Sequence, residues 1–195
     1  MDNTNVMITG VGGQGVVLAS DILGDVAIAC GFDVKKTDTL GMAQRGGSVV
    51  TNMRIGKKLF SPLISEGEVD LLLAFEKLEA VRWSSYLKMG AFVIVSDQRK
   101  APPTVAAGAV NYPDDSQITR LLSSKQSQVI MVEGQKLSAE LGNPKVLNVL
   151  MLGVLSMRLP FSLDKWKETL RNRLPAKIVD INMSAFERGR EVKTL

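Results

Sequence analysis

The sequence of 195 residues predicts an α/β fold, in which three layers surround a mostly parallel sheet and the last third of the chain is helical. Three observations support this expectation. Short apolar runs alternate with segments of helical periodicity in the first two thirds, a glycine-rich turn joins the first run to the first helix, and only helical patterns occur after residue 144. No linker separates the two parts, so we expect residues 1–195 to form a single domain.

The first strand and the turn after it carry the clearest pattern. Residues 6–9 are apolar without alternation, which predicts a central parallel strand. They lead into Gly10-Val-Gly-Gly-Gln-Gly15, which fits the pattern G-x-G-x-x-G. Glycines let the chain turn tightly and let backbone N–H groups approach a pyrophosphate, and the next helix points its N-terminus at the same anion. The pattern therefore predicts a Rossmann-like sheet with an anion-binding turn.

The next elements are one helix and two strands. Residues 13–30 have apolar side chains at helical spacing, which predicts a helix that ends before Gly31. Strands are expected over residues 33–37 and 48–55. The connection over residues 38–47 has no helical pattern and is short for a right-handed parallel crossover, so we expect the third strand to run antiparallel to its neighbour.

Strands and helices continue to alternate through the middle of the chain. We expect strands over residues 69–75, 91–96 and 128–132, helices over residues 76–88 and 114–123, and a loop with one short edge strand over residues 101–112. In the last third, residues 144–159 are apolar nearly all round and predict a buried helix. Ser162 caps an amphipathic helix, and residues 177–190 form a third.

A second glycine-flanked loop, Gly41-Met-Ala-Gln-Arg-Gly-Gly47, directly precedes Ser48. Its guanidinium offers bidentate recognition of phosphate or carboxylate, and the flanking glycines let backbone N–H groups add further donors. The loop leaves the carboxyl end of a strand, so it begins at the same end of the sheet as the first turn, where ligands bind in open α/β sheets. The alternative for this loop is an ordinary turn with a solvated arginine.

Side-chain types that commonly carry catalysis or hold metals are scarce. The chain has no histidine and one cysteine, Cys30, so it can form no internal disulfide, no Ser-His or Cys-His dyad and no cysteine-held iron–sulfur cluster. The net charge of +4 is spread along the chain and aromatic residues are few, which disfavours nucleic-acid binding. We assign no catalytic residue and no metal ligand.

Targeting and membrane-spanning patterns are not recognisable in the sequence. No segment has the pattern of a signal peptide. The most apolar stretch, residues 149–157, is shorter than the about 20 residues that a membrane span needs. We therefore expect a cytoplasmic protein without a membrane partner.

The two glycine-rich loops together resemble those of the gamma subunit, or gamma domain, of 2-oxoacid:ferredoxin oxidoreductases. The Met-Ala-Gln-Arg-Gly-Gly form is most similar to that of the small (beta) subunit of indolepyruvate ferredoxin oxidoreductases. The resemblance implies a subunit without turnover of its own, in a complex that converts a 2-oxoacid and coenzyme A to acyl-CoA, carbon dioxide and reduced ferredoxin. It implies a larger partner subunit that holds thiamine diphosphate and iron–sulfur clusters. Whether the isolated chain forms a homodimer stays open.

The cofactor-binding positions implied by the resemblance all lie in the two loops. They are Gly10, Gly12, Gly13, Gln14, Gly15, Gln44, Arg45, Gly46, Gly47 and Ser48. The glycines of the first turn would offer backbone contacts to a phosphate, to coenzyme A or to the partner. The side chains of Gln44 and Arg45 would face the ligand or the active site.

Two other functions remain open from the residues alone. A free-standing NAD(P)-binding oxidoreductase would use Asp38, 23 residues beyond Gly15, to hold the ribose hydroxyls. A non-catalytic nucleotide-binding assembly module would bind ligand and partner without affecting turnover. The substrate of a 2-oxoacid enzyme also stays open between indolepyruvate, a branched-chain 2-oxoacid and 2-oxoglutarate.

Overall fold

A six-stranded mixed sheet forms the centre of the computed structural model, which describes residues 3–40, 46–101 and 111–192. The strands are β1 (Thr4–Val11), β2 (Asp33–Leu40), β3 (Ser48–Gly56), β4 (Val69–Ala74), β5 (Leu87–Ser96) and β6 (Gln128–Val132). Their order across the sheet is β2-β3-β1-β4-β5-β6. β1, β4, β5 and β6 pair in parallel, whereas β3 is antiparallel to both β1 and β2. The predicted α/β fold and the predicted reversal of the third strand are therefore confirmed.

Helices cover both faces of the sheet and make the fold three-layered. Within the described residues they are α1 (Val16–Ala29), α2 (Lys77–Arg82), α3 (Asp115–Leu122), α4 (Gly134–Glu140), α5 (Leu147–Ser156), α6 (Leu163–Arg173) and α7 (Ala176–Arg190). Side chains of β1 alternate between two cores, with Val6 and Ile8 in one and Met7 in the other. The first core lies under α1, α5, α6 and α7, and the second under α2 and α3. Of these helices, none is long and apolar enough to cross a bilayer.

Two element boundaries near the first turn differ from the sequence expectation. α1 begins at Val16 and not at residue 13, because Gly13 and Gly15 have φ angles of +97° and +82°, outside the right-handed helical region. β2 continues to Leu40 because it pairs residue by residue with β3. The loop after β2 therefore begins three residues later than the sequence pattern indicates.

The middle of the chain contains the clearest error. The helix expected over residues 76–88 is wrong in its second half, because α2 ends at Arg82 and Leu87 already pairs with Val69 of β4. α4 was not expected at all, and α5 is confined to the part of residues 144–159 that follows a short turn. Residues 102–110, in which an edge strand is expected, lie outside the described residues.

Two glycines allow α5 and α7 to pack with their backbones in contact. Every residue of α5 is buried. A Cβ atom on Gly153 would lie 2.1 Å from the carbonyl oxygen of Phe186, and one on Gly189 would lie 2.0 Å from that of Leu150. Both obstacles are helix backbone, so a side chain at either position can be accommodated only if the helices separate.

We expect Gly153→Ala to lower the free energy of unfolding by about 2 kcal/mol or more, because the added methyl group forces the two helices apart. Urea denaturation measures this loss. The matched control is Gly24→Ala in α1, whose Cβ would meet the methyl carbon of Met53 at 3.5 Å and Cγ1 of Val34 at 3.8 Å, both ordinary van der Waals contacts. That variant is expected to be neutral or stabilised by up to about 1 kcal/mol, because alanine favours helix. Equal stability of the two variants would contradict the direct backbone contact.

Candidate functional site

The two glycine-rich loops meet at one end of the sheet. Val11, the last residue of β1, lies opposite Ser48, the first residue of β3, and the N–H of Gly12 donates to the carbonyl oxygen of Gly47 at 2.8 Å. The antiparallel pairing of β3 with β1 therefore brings the end of the second loop onto the first turn. Gly46, Gly47 and Ser48 take part in this arrangement, whereas Gln44 and Arg45 lie outside the described residues.

The side chain of Gln14 fixes the shape of the first turn. Its Oε1 accepts a hydrogen bond from the N–H of Val11 at 2.6 Å. Its Nε2 donates to the carbonyl oxygen of Phe75 at 3.1 Å and to Oε1 of Gln98 at 2.7 Å. The amide thus links the loops that follow β1, β4 and β5. Its polar atoms are used inside the protein, and a contact of this side chain with a ligand stays a prediction.

Two buried carboxylates, which the sequence patterns did not single out, lie beside the second loop. Ser48 donates its hydroxyl proton to Oε2 of Glu79 at 2.5 Å. Glu76 accepts hydrogen bonds from the N–H of Glu79 at 2.9 Å, from the N–H of Lys100 at 3.1 Å and from the hydroxyl of Tyr112. Burial raises the pKa of Tyr112, and its hydrogen bond to Glu76 raises the pKa further. These groups hold the loops in place, because each carboxylate already has internal donors.

A cavity of about 370 Å³ opens beside the N-terminus of α1. Gly15 is the N-cap residue of that helix and has no side chain that could cap it. The N–H groups of the first helical turn therefore have no hydrogen-bond acceptor within the helix. Lys145 and the amide of Asn148 line the same cavity. Backbone N–H groups at a helix N-terminus together with a lysine and an amide form a set of donors suited to an anion.

Asn148 is the most specific part of this cavity. Its side chain is 6 % exposed, and its Oδ1 accepts from the N–H of Val149 at 2.9 Å. Its Nδ2 donates to no acceptor among the described residues, and a Cβ atom on Gly15 would lie 2.5 Å from it. A ligand in the cavity could therefore accept from this amide without breaking an internal hydrogen bond. Glycine at position 15 leaves the space in which that donor faces the helix N-terminus.

The profile of the family described as pyruvate ferredoxin/flavodoxin oxidoreductase matches residues 5–192. The chain belongs to this family. The resemblance that the two loops indicated is thereby confirmed, and with it the expectation of a 2-oxoacid:ferredoxin oxidoreductase subunit.

Individual members of the family match the chain along nearly its whole length. The indolepyruvate oxidoreductase subunit IorB of Pyrococcus horikoshii is 36% identical over 192 residues, which cover 97% of this chain and 95% of that protein. The structure of the gamma subunit of a keto/oxoacid ferredoxin oxidoreductase from Geobacter sulfurreducens matches with a TM-score of 0.68 at 23% identity, covering 96% of each chain.

A third match places the same fold inside a longer polypeptide. The 2-oxoglutarate:ferredoxin oxidoreductase of Magnetococcus marinus, solved with 2-oxoglutarate, coenzyme A and succinyl-CoA bound, matches with a TM-score of 0.76 at 16% identity. The match covers 100% of this chain and 32% of that one. At this identity the likeness concerns the fold alone.

The position of Asp38 disfavours a dinucleotide enzyme. In a dinucleotide fold the acidic residue lies at the end of the strand next to β1. Here β3 lies between β1 and β2, so Asp38 on β2 is two strand spacings, about 10 Å, from β1 across the sheet. Its Oδ1 accepts from the hydroxyl of Thr51 at 2.5 Å, and its Oδ2 lies 3.1 Å from Nζ of Lys36. Both carboxylate oxygens are therefore used within the sheet.

Among the residues that the structure describes, no group of three or more histidine, cysteine, aspartate or glutamate side chains is placed to hold a metal ion. Cys30 is a half-buried free thiol at the end of α1.

We expect Gln14→Ala to lower the free energy of unfolding by about 2 kcal/mol, because it removes three hydrogen bonds and leaves the N–H of Val11 without an acceptor. Hydrogen exchange at Val11 should become faster in the same variant. Gln98→Ala removes only one of the three bonds and is the control, with an expected loss of about 1 kcal/mol or less. If the two variants lost the same stability and Val11 stayed protected, Gln14 would not determine the shape of the turn.

Proposed function

We propose that this chain is the small subunit of an indolepyruvate-type 2-oxoacid:ferredoxin oxidoreductase in the cytoplasm. The whole chain, residues 1–195, would form one domain that assembles with a larger subunit, and ferredoxin would accept the electrons. Family membership and the 36% identity to an indolepyruvate oxidoreductase subunit support this assignment. The reaction would convert one 2-oxoacid, one coenzyme A and two oxidised ferredoxins to acyl-CoA, carbon dioxide, two reduced ferredoxins and a proton.

The redox and decarboxylation chemistry belongs to the partner in this proposal. Thiamine diphosphate would supply the decarboxylation step and iron–sulfur clusters would carry the electrons away. This chain has one cysteine and no histidine, so its residues do not fit a thiolate-held cluster. We assign it no catalytic acid, base or nucleophile.

The contribution of this chain is to bind a phosphate group of coenzyme A at the N-terminus of α1. The observation that carries this assignment is the Nδ2 of Asn148, which donates to no acceptor among the described residues and lies beside Gly15 in the cavity. Backbone N–H groups of Gly13 and Gly15 and the ammonium of Lys145 would complete the donor set. Coenzyme A is the anionic co-substrate of this reaction, and it carries a pyrophosphate and a further phosphate.

The second loop would contribute to the same ligand. The side chains of Gln44 and Arg45 would face the ligand or the active site, and Gly46 and Gly47 would offer backbone contacts. The hydroxyl of Ser48 already donates to Glu79, so we propose that Ser48 holds the loop and leaves the ligand contact to its neighbours.

The first test is to co-express the chain with its larger subunit and to measure methyl viologen reduction that depends on both indolepyruvate and coenzyme A. The complex should reduce viologen, and the larger subunit purified without this chain should lose most of the coenzyme A-dependent rate. Unchanged turnover without the chain would favour an assembly module. Oxidation of NADH by the chain alone would favour the free-standing enzyme.

We expect Asn148→Asp to raise the KM for coenzyme A in the assembled complex by about tenfold or more, because a carboxylate replaces an amide donor beside the phosphate. The KM for indolepyruvate should change little. Asn172→Asp makes the same substitution on an exposed position of α6 and should leave both constants unchanged. A normal KM for coenzyme A in Asn148→Asp, with the complex intact, would remove the phosphate contact from this cavity.

A further inference from the structure

A second cavity, of about 480 Å³, lies at the opposite end of the sheet from the glycine-rich loops. It opens where β1 begins at Thr4, whereas the first glycine turn follows Val11 at the other end of the same strand. Eight residues of strand separate the two places by about 23 Å. No residue of the anion cavity beside α1 lines this one.

Arg158 lies in this cavity, and its guanidinium has no hydrogen-bonding partner among the residues that the structure describes. Its Cζ lies 4.5 Å from the centre of the Phe92 ring, so one face of the guanidinium is stacked on an aromatic side chain. Its Nε is enclosed and has no acceptor, and within the described residues the side chain makes no ion pair. Because Nε alone is enclosed without an acceptor, the two Nη groups are the part of the guanidinium that a carboxylate from outside would bind.

The acidic side chain that shares the cavity is already paired. Oδ1 of Asp70 accepts from Nζ of Lys88 at 2.9 Å, and its Oδ2 accepts from the N–H of Asn5 at 2.9 Å. Asp70 therefore supplies no acceptor to Arg158. An external carboxylate would give the Nη groups of the guanidinium the acceptor that the described residues do not provide.

Apolar side chains form part of the cavity around Arg158, and further apolar surface continues beyond it. Leu71 and Leu159, which are 4% and 7% exposed, form part of its lining. Met89, also in the lining, is 63% exposed, and Met157, adjacent to Arg158 in sequence, is 51% exposed. Flexible methionine side chains around a stacked arginine are typical of protein-binding surfaces, where arginine and methionine are enriched.

We propose that this cavity binds an acidic side chain of the larger subunit. The carboxylate of that partner residue would pair with Arg158, and an apolar side chain next to it in the partner would pack against Met89 and Leu159. The proposal rests on the proposed function, because it requires a larger subunit. The free guanidinium specifies the charge of the occupant. The exposed methionines outside the cavity favour a polypeptide, since a small carboxylate would leave them uncovered.

The position of the cavity is compatible with coenzyme A binding at the same time. A partner segment anchored at the amino ends of the strands would leave the glycine-rich loops at the carboxyl ends open to a ligand. Docking and ligand binding would then use separate residues, and variants at each place should have separable effects.

The test measures affinity between the isolated chain and the larger subunit by surface plasmon resonance. Arg158→Gln should weaken binding by about tenfold or more, since a central arginine with a desolvated carboxylate partner is a typical hot spot. Arg158→Lys should recover only part of the affinity, because it keeps the charge and loses the fork and the stacking. Arg120→Gln, an exposed arginine on α3, is the matched control and should bind as the unaltered chain does.

Folding of the variants is checked separately from binding. Thermal denaturation of Arg158→Gln should give a Tm equal to or above that of the unaltered chain, because the substitution removes a donor that has no acceptor in the free subunit. With Met89→p-benzoylphenylalanine, photo-crosslinking should join this chain to a peptide of the larger subunit that contains aspartate or glutamate. A crosslinked peptide without an acidic residue would overturn the assignment.

The remaining outcomes are also decisive. Unaltered affinity in Arg158→Gln, with a complex that still depends on coenzyme A, overturns this inference and leaves the proposed function standing. Phenylacetate is the probe for a small carboxylate. If it binds the isolated chain, if this binding is lost in Arg158→Gln and if the larger subunit does not displace it, the cavity is assigned to a small carboxylate instead. A homodimer of the isolated chain that dissociates in Arg158→Gln assigns it to a second copy. Failure of the unaltered chain to bind the larger subunit overturns both proposals.

Discussion

The antiparallel pairing of β3 with β1 is the constraint on which the arrangement of the site depends. Too few residues connect β2 to β3 for a crossover helix, so β3 reverses and lies between β1 and β2. This pairing places Ser48 opposite Val11 and allows Gly12 to bond to Gly47. It also moves β2 away from the first turn. The same pairing therefore joins the two loops and removes the acidic residue that a dinucleotide site would need there.

Internal hydrogen bonds then hold the loops without using groups that an anion requires. Gln14 and Glu76 bond to backbone and side-chain groups from several loops, and their polar atoms are satisfied inside the protein. Among the residues that the structure describes, the donors at this site without an internal acceptor include backbone N–H groups at the start of α1 and the amide of Asn148. A preorganised site of this kind binds an anion without first breaking internal bonds, which reduces the cost of binding.

Local patterns in the sequence were sufficient for most strands and for the glycine turn, and insufficient wherever a distant residue decides the outcome. The apolar runs of β1 and β4 are buried on both faces and could be identified directly. The helical pattern after Glu76 continues past Arg82, but pairing of Leu87 with Val69 ends the helix. Asn148 and the region of Arg158 belong to a strongly apolar segment, where periodicity indicates packing alone. Their importance depends on Gly15 and Phe92, which come from other elements.

The glycine contact between α5 and α7 has a mechanical consequence. Asn148 lies in the first turn of α5, and Arg158 lies two residues after the last residue of that helix. One helix therefore connects the anion cavity with the cavity at the other end of the sheet. Because the backbone of α5 is in contact with that of α7, a shift of α5 at either end would require α7 to move with it. If binding in one cavity changes the affinity of the other cavity through α5, thermodynamic reciprocity requires that binding in the second cavity changes the affinity of the first by the same factor.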